Sequence, residues 1–155
     1  MSNNRPNKWL PYQRYRLALE REILKIHMPD FEFFDTTGDA YVFGHYTSSQ
    51  GTTYGLHISI PDGFPDACPG SYITDPSPLM GKDMAINAYK NSHDMHCWTT
   101  DVEGWTKICT FKPETWSAEH SIEKVIQKSF LWIEAYESHL TTGRDIAHFL
   151  LNIPQ

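Results

Sequence analysis

The spacing of apolar residues changes along this chain, and the change limits the folds that the sequence can adopt. Near the start, apolar residues recur every three or four positions, as on one face of an amphipathic helix: Tyr12, Tyr15, Leu19, Ile23 and Ile26. Pro29 is expected to end this helix, because the residue before a proline avoids helical geometry. We therefore expect a helix here, preceded by a loose arm over residues 1–10.

The segment that follows is rich in aromatic and β-branched residues, which favour strands. Four runs of this kind are separated by turn-forming residues: 31–34, 41–46, 54–60 and 71–74. In the third run Leu56, Ile58 and Ile60 alternate with polar residues, as expected for a half-buried strand. The pattern predicts a four-stranded antiparallel meander.

Residues 75–115 show little periodicity and predict one long loop, which in a compact domain is usually functional. Helical spacing then returns in a long apolar stripe: Ile122, Val125, Ile126, Ile133, Tyr136 and Leu140. Ser117 is expected to be the N-cap, and Gly143 to end the helix in a left-handed turn. Asp145 is expected to cap a last short helix. The order predicts an α+β fold, in a single domain over residues 1–155.

Composition excludes several classes of function. The chain has 155 residues, a net charge of −6 and no run of basic residues, which argues against nucleic-acid binding. No apolar stretch approaches the roughly 18 residues of a membrane span, and residues 1–7 lack an apolar signal region. Three cysteines, Cys68, Cys97 and Cys109, are an odd number that suggests free thiols. We therefore expect a cytoplasmic protein with no membrane or nucleic-acid partner.

The most informative segment ends in a cysteine: Gly104-Trp105-Thr106-Lys107-Ile108-Cys109. It is followed by Trp116-Ser117-Ala118 and then by Ile122 and Val125. These segments resemble the ubiquitin-conjugating (E2) family, in which Gly-x-Ile-Cys precedes Trp-Ser-Pro-Ala and an Ile-x-x-Val helix start. Phe64-Pro65 and Pro69 resemble the proline-rich corner after the third strand of that family. The resemblance covers residues 12–150 and implies a ubiquitin-conjugating-enzyme (UBC)-like fold.

The resemblance implies that Cys109 is catalytic. An E2 accepts the C-terminal carbonyl of a carrier protein as a thioester and passes it to an amine. A thiolate suits this chemistry because it is both a nucleophile and a good leaving group. On the residue alone, a buried and inert cysteine is the alternative.

The His-Pro-Asn segment that precedes the cysteine in the family is missing here. His96 is the preferred replacement, as a donor to the oxyanion, although it could also serve only to tie the loop together. Asp75 after the fourth predicted strand is the other candidate for the place. His93, His96 and Cys97 lack a second pair with zinc-site spacing, so we expect no metal and no cofactor.

Where the sequence differs from eukaryotic E2 enzymes, it resembles the bacterial E2-like proteins encoded beside cGAS-like nucleotidyltransferases in antiphage (CBASS) operons. That resemblance implies a partner protein that donates its C-terminus, expected to be such a nucleotidyltransferase, and a regulatory role in antiphage signalling. It implies a stand-alone E2, or one that relies on a separate E1. Two alternatives remain open: a non-catalytic E2-variant scaffold, and a cysteine hydrolase in which a histidine activates Cys109.

Overall fold

The structure, a computed structural model, describes residues 6–150. The helices are α1 (Pro11–His27), α2 (Ile122–Thr142) and α3 (Ile146–Leu150). The strands are β1 (Glu32–Phe34), β2 (Tyr41–Thr47), β3 (Thr53–Ser59), β4 (Gly70–Asp75), β5 (Cys97–Trp98) and β6 (Thr106–Ile108). The predicted α+β class is confirmed. No helix within residues 6–150 has the length and apolar character that a membrane crossing requires.

The sheet has six antiparallel strands in the order β1-β2-β3-β4-β6-β5, so the predicted count of four is wrong. The first four form the predicted meander. The other two lie inside the stretch predicted as one long loop, where β6 pairs with β4 and β5 pairs with β6. They contain only three and two residues, which is too short for an alternating pattern to be recognised.

Helix α2 lies across the inner face of the sheet. Leu56 and Ile58 of β3 are fully buried on that face, as their alternation predicts. Ser129 of α2 and Ser71 of β4 share a hydrogen bond of 2.7 Å. At the other end, Glu137 Oε2 accepts hydrogen bonds from Tyr54 and Ser48, both at 2.7 Å. These bonds fix α2 at both ends of the sheet.

The ends of α2 only partly match the prediction. The N-cap is Ser121, whose side chain accepts from Lys124 N–H, and not Ser117. Ser117 lies four residues too early, because the turn after Trp116 leaves the helix to start at Ile122. Gly143 ends α2 with a φ of 77°, which is the left-handed turn that was predicted.

The buried face of α1 is not the predicted one. Most of the apolar stripe faces outward, and Tyr15 is 80% exposed. The buried positions are Gln13, Leu17, Glu20 and Leu24. Gln13 Nε2 donates to the carbonyls of Asp62 and Phe64 at 2.8 Å, and Glu20 Oε1 accepts from Ile122 N–H at 2.7 Å. Two polar side chains are therefore buried because they satisfy backbone groups of neighbouring segments.

Part of the predicted loose arm is held against the rest of the molecule. Trp9 is buried, and Lys8 N–H donates to the Thr37 carbonyl at 2.9 Å. The Lys8 side chain also forms ion pairs with Asp39 and Asp62 at 2.8 and 2.6 Å. Residues 1–5 of the predicted arm lie outside the described range.

The two faces of α1 provide a matched test of this packing. Leu24 is 1% exposed and Leu19 is 55% exposed on the same helix. We expect Leu24→Ala to lower the free energy of unfolding by about 2–5 kcal/mol, because it leaves a cavity in the core. Leu19→Ala should change it by no more than about 0.5 kcal/mol. Urea unfolding followed by circular dichroism measures both; the reverse order of effects would show that the predicted stripe is the buried face.

Candidate functional site

Cys109 is the first residue after β6 and is half-buried. Its N–H donates to the carbonyl oxygen of His96 at 2.8 Å, which extends the antiparallel pairing of Cys97 with Ile108 by one step. Residues directly opposite each other in such a pair project to the same side. The structure thus brings together Cys109 and His96, the two predicted site residues, although they are 13 positions apart.

The loop that carries His96 is fixed to α2 by a tryptophan. The indole Nε1 of Trp132 donates to the carbonyls of Met95 and His96 at 3.1 and 2.9 Å. His96 has a φ of 51°, the left-handed conformation that few non-glycine residues adopt. Because its carbonyl binds both Trp132 and Cys109, the backbone at His96 has little freedom to move.

Two cavities adjoin Cys109 and His96. The larger has a volume of about 310 Å³ and opens toward solvent beside Lys112 and Glu114. The smaller, of about 20 Å³, lies toward α2 and is also lined by Thr110, Lys128 and Trp132. A volume of this size accommodates about one water molecule or one oxygen atom. Cys109 therefore lines two cavities of very different volume.

Unpaired polar atoms concentrate around the small cavity. Within residues 6–150, six buried side-chain nitrogen or oxygen atoms lack a hydrogen-bond partner. Three of them belong to two lining residues: Nδ1 and Nε2 of His96 and Nζ of Lys128. Buried polar groups are nearly always hydrogen-bonded. Several unpaired nitrogen atoms beside a cysteine therefore mark a place where a ligand or a reacting atom can supply the missing hydrogen bond.

Burial controls the charges at this site. Burial raises the pKa of the Cys109 thiol to about 11, although Lys112 and Lys128 act in the opposite direction. Burial lowers the pKa of His96, and the charges of Lys112 and Lys128 contribute to the same shift. The resting site at neutral pH thus contains a protonated thiol and a neutral imidazole, which keeps one N–H donor.

Lys128 is the residue that the sequence analysis missed. It belongs to α2 and is 7% exposed, and its Nζ lies 3.9 Å from the centroid of the Phe111 ring. Burial and the charge of Lys124 lower its pKa. The available signal was helical spacing: Lys128 falls three residues after Val125 and four before Trp132, on the buried stripe of α2.

The other two cysteines are placed differently. The Cys97 thiol is buried and donates to the Lys90 carbonyl at 3.0 Å. The Cys68 thiol donates to the Pro69 carbonyl at 3.3 Å, and burial raises its pKa to about 12. Each thiol has a local backbone acceptor, whereas no hydrogen bond of the Cys109 sulfur occurs within residues 6–150. Cys109 is therefore the cysteine best placed to react.

The remaining sequence candidates lie away from the two cavities. Asp75 lies at the end of β4, opposite Gly55, and lines neither of them. Trp116 of the family-like segment is buried, and its indole donates to the Pro65 carbonyl at 2.9 Å, so it fixes the chain to the corner after β3. In the part of the chain that the structure describes, no group of three or more His, Cys, Asp or Glu side chains could hold a metal ion.

Comparison of the chain with protein-family models, with curated proteins and with solved structures found no match. The chemistry of the site is therefore read from its own groups: the thiol of Cys109, the neutral imidazole of His96 and the buried amine of Lys128.

The raised pKa of Cys109 predicts how its reactivity depends on pH. Iodoacetamide reacts with the thiolate, so the rate of Cys109 alkylation should rise about tenfold per pH unit between about pH 7 and pH 10. The sign follows from burial, which favours the neutral thiol and raises the pKa to about 11. Peptide mapping by mass spectrometry gives the rate, with the fully buried Cys97 as the slower internal control. A plateau below about pH 8 would contradict the assignment.

Proposed function

We propose that this protein is an E2-like acyl-transfer enzyme with a UBC-like fold, in which Cys109 carries the C-terminal acyl group of a partner protein as a thioester. The observation that carries the proposal is that Cys109 and His96 together line two cavities. The larger, about 310 Å³, has room for a chain terminus, and the smaller, about 20 Å³, for a single oxygen atom. The sequence resemblance around Gly104–Cys109 supports the same assignment.

The chemistry has two steps. In the first, the Cys109 thiolate attacks the carbonyl carbon of an activated C-terminus, the S–C bond forms, and the activating group leaves. In the second, the amine of a lysine attacks the thioester, the C–N bond forms, and the C–S bond breaks. The amine proton passes to a base, and Cys109 departs as a thiolate. Negative charge develops on the carbonyl oxygen in both steps. An activated C-terminus already carries a good leaving group, so transfer from the less reactive thioester to the amine depends more strongly on a positioned donor.

We assign that donor role to His96. A neutral imidazole carries one N–H group, and no side chain within residues 6–150 pairs with either ring nitrogen of His96. Its backbone is held opposite Cys109 by the hydrogen bond between them. His96 thus replaces the asparagine of the His-Pro-Asn segment, which this sequence lacks.

A carboxylate does not form a thioester without activation, so the partner must arrive as an acyl-adenylate or as the thioester of a separate E1. We propose a cGAS-like nucleotidyltransferase as the partner and regulation of antiphage signalling as the role, on the sequence resemblance. Three free cysteines suit a reducing compartment, so we place the reaction in the cytoplasm.

The competing function is that of a cysteine hydrolase. The observation in its favour is that His96 lies opposite Cys109, as a histidine base would. A hydrolase needs a histidine that is oriented by a third group and accepts the thiol proton. Within residues 6–150 no side chain forms a hydrogen bond with the His96 ring, so no carboxylate or amide side chain orients it as a base. A third possibility, the non-catalytic E2-variant scaffold, would leave the cysteine unmodified.

The first test is the covalent adduct. The protein is incubated with its partner and the activating enzyme and analysed by mass spectrometry under non-reducing conditions. We expect a thiol-sensitive adduct on Cys109, because a thioester is cleaved by added thiols. Cys109→Ser should give a thiol-resistant ester or no adduct, and Cys97→Ser, the control, should leave the adduct intact. If only Cys97→Ser abolishes the adduct, then Cys97 and not Cys109 carries the acyl group.

The second test separates the two steps. His96→Ala removes the oxyanion donor, and loss of such a donor slows the chemistry by about a hundredfold or more. We expect discharge to free lysine, measured in a single turnover, to slow by this factor, with charging of Cys109 nearly unchanged. Charging and discharge that fall together with the melting temperature would show that His96 only holds the loop. His93→Ala, at the rim of the open cavity, is the matched control.

A further inference from the structure

Lys128 is a buried amine for which the fold supplies no anionic partner. Its side chain projects from α2 toward Phe111 and the small cavity. It forms no ion pair or hydrogen bond with any residue that the structure describes. The Phe111 ring, 3.9 Å from Nζ, gives only a cation–π contact. An unpaired buried ammonium destabilises a fold, so its presence calls for a group that becomes negative during function.

Cys109 is the group in the right place. Lys128 and Cys109 both line the small cavity, which is about 20 Å³ in volume. The space between its walls holds about one oxygen-sized atom, so the two side chains lie close together across it. The same cavity is lined by His96 and Thr110, and neither side chain is ionised at neutral pH. A negative charge on the Cys109 sulfur therefore meets one buried positive group.

We propose that Lys128 is the charge-stabilising residue of the site: its ammonium group is the counter-ion of the Cys109 thiolate. The inference takes Cys109 as the reactive centre and so rests on the proposed function. When the thiolate forms, the proton leaves the sulfur for solvent or buffer through the open cavity, the electron pair stays on sulfur, and Lys128 keeps its own proton. The pair then replaces two costly states, an isolated buried thiolate and an isolated buried ammonium.

Other groups around the pair are weaker candidates for this role. Those that act on the charge of Cys109 or Lys128 are Cys68, His96, Cys97, Lys112, Glu114 and Lys124. Lys112 is the other nearby cation, but it is half-exposed on the loop, so salt screens its charge. Cys68 also interacts with Lys128, but its thiol is already hydrogen-bonded to Pro69.

The first experiment compares Lys128→Met with Lys124→Met, which removes an exposed lysine one turn earlier on the same helix. The rate of Cys109 alkylation by iodoacetamide is measured at one fixed pH below the thiol pKa of about 11, where the rate follows the thiolate fraction. Loss of a close positive charge raises the thiol pKa by about one unit or more, so Lys128→Met should react about tenfold more slowly. Lys124→Met should stay within about twofold of the wild-type rate.

Salt distinguishes Lys128 from Lys112. In high salt the rate deficit of Lys128→Met should persist, because the ammonium is buried, and that of Lys112→Met should shrink. A folded Lys128→Met protein that reacts within about twofold of wild type, or a larger deficit for Lys112→Met in high salt, would overturn the proposal.

A second measurement does not depend on the folding of a Lys128 variant. Coupling between two charged groups is reciprocal, so a permanent negative charge at position 109 must raise the pKa of Lys128. We expect a ¹³C NMR titration of the Lys128 side chain to give a higher pKa in Cys109→Asp, whose carboxylate is ionised throughout the titration, than in Cys109→Ser, and equal values would exclude the pair. Neither experiment uses a partner protein. A negative result here leaves the thioester proposal standing, and a missing adduct leaves the result for Lys128 intact.

Discussion

The hydrogen bonds of the Trp132 indole are the constraint on which the candidate site depends. Its one N–H group reaches the carbonyls of Met95 and His96 from the middle of α2. Helix α2 is itself fixed to the sheet through Ser129 and Glu137. The long segment between β4 and α2 therefore has a fixed point beside Cys109, although its two strands contain only five residues between them. Together with the hydrogen bond from Cys109 N–H to the His96 carbonyl, that fixed point defines where His96 lies relative to the thiol.

The fold treats buried polar groups in two different ways. Glu20 and Gln13 of α1 are buried and each satisfies backbone groups of another segment, so they hold the structure together. Glu137 accepts hydrogen bonds from two hydroxyl groups on β3 and the turn before it. The ring nitrogens of His96 and the amine of Lys128 are buried without a side-chain partner in residues 6–150. The rest of the core pairs its polar groups with few exceptions. The unpaired atoms that line one cavity therefore indicate a functional site and not a packing defect.

A high thiol pKa is compatible with the proposed chemistry. A thiolate of high pKa is less populated at neutral pH but is more nucleophilic once it forms. Burial that raises the pKa of Cys109 therefore protects the thiol from adventitious reaction in the resting protein. A buried cation such as Lys128 then matters at the moment when charge develops, since the low local dielectric strengthens its effect.

The sequence by itself determined the class of the fold and most of its long elements. The meander, the existence of α2 and its stop at Gly143 follow from local pattern: strand alternation, a helical stripe and a residue that tolerates the left-handed conformation. Cys109 and His96 were singled out by the family resemblance of the segment around them. It could not show that they lie side by side, because that depends on strands of two and three residues.

Only the tertiary structure decided which face of α1 is buried and which lysine reaches the site. The apolar stripe of α1 indicates an apolar face but does not show whether that face is buried. Gln13 and Glu20 are buried because they form hydrogen bonds with backbone groups of distant segments. In the sequence, Lys128 is one of several charged residues of α2. Only the tertiary structure places it against Phe111 and in the same cavity as Cys109. Periodicity describes one element at a time, whereas the burial of a polar group is decided by partners that lie far away along the chain.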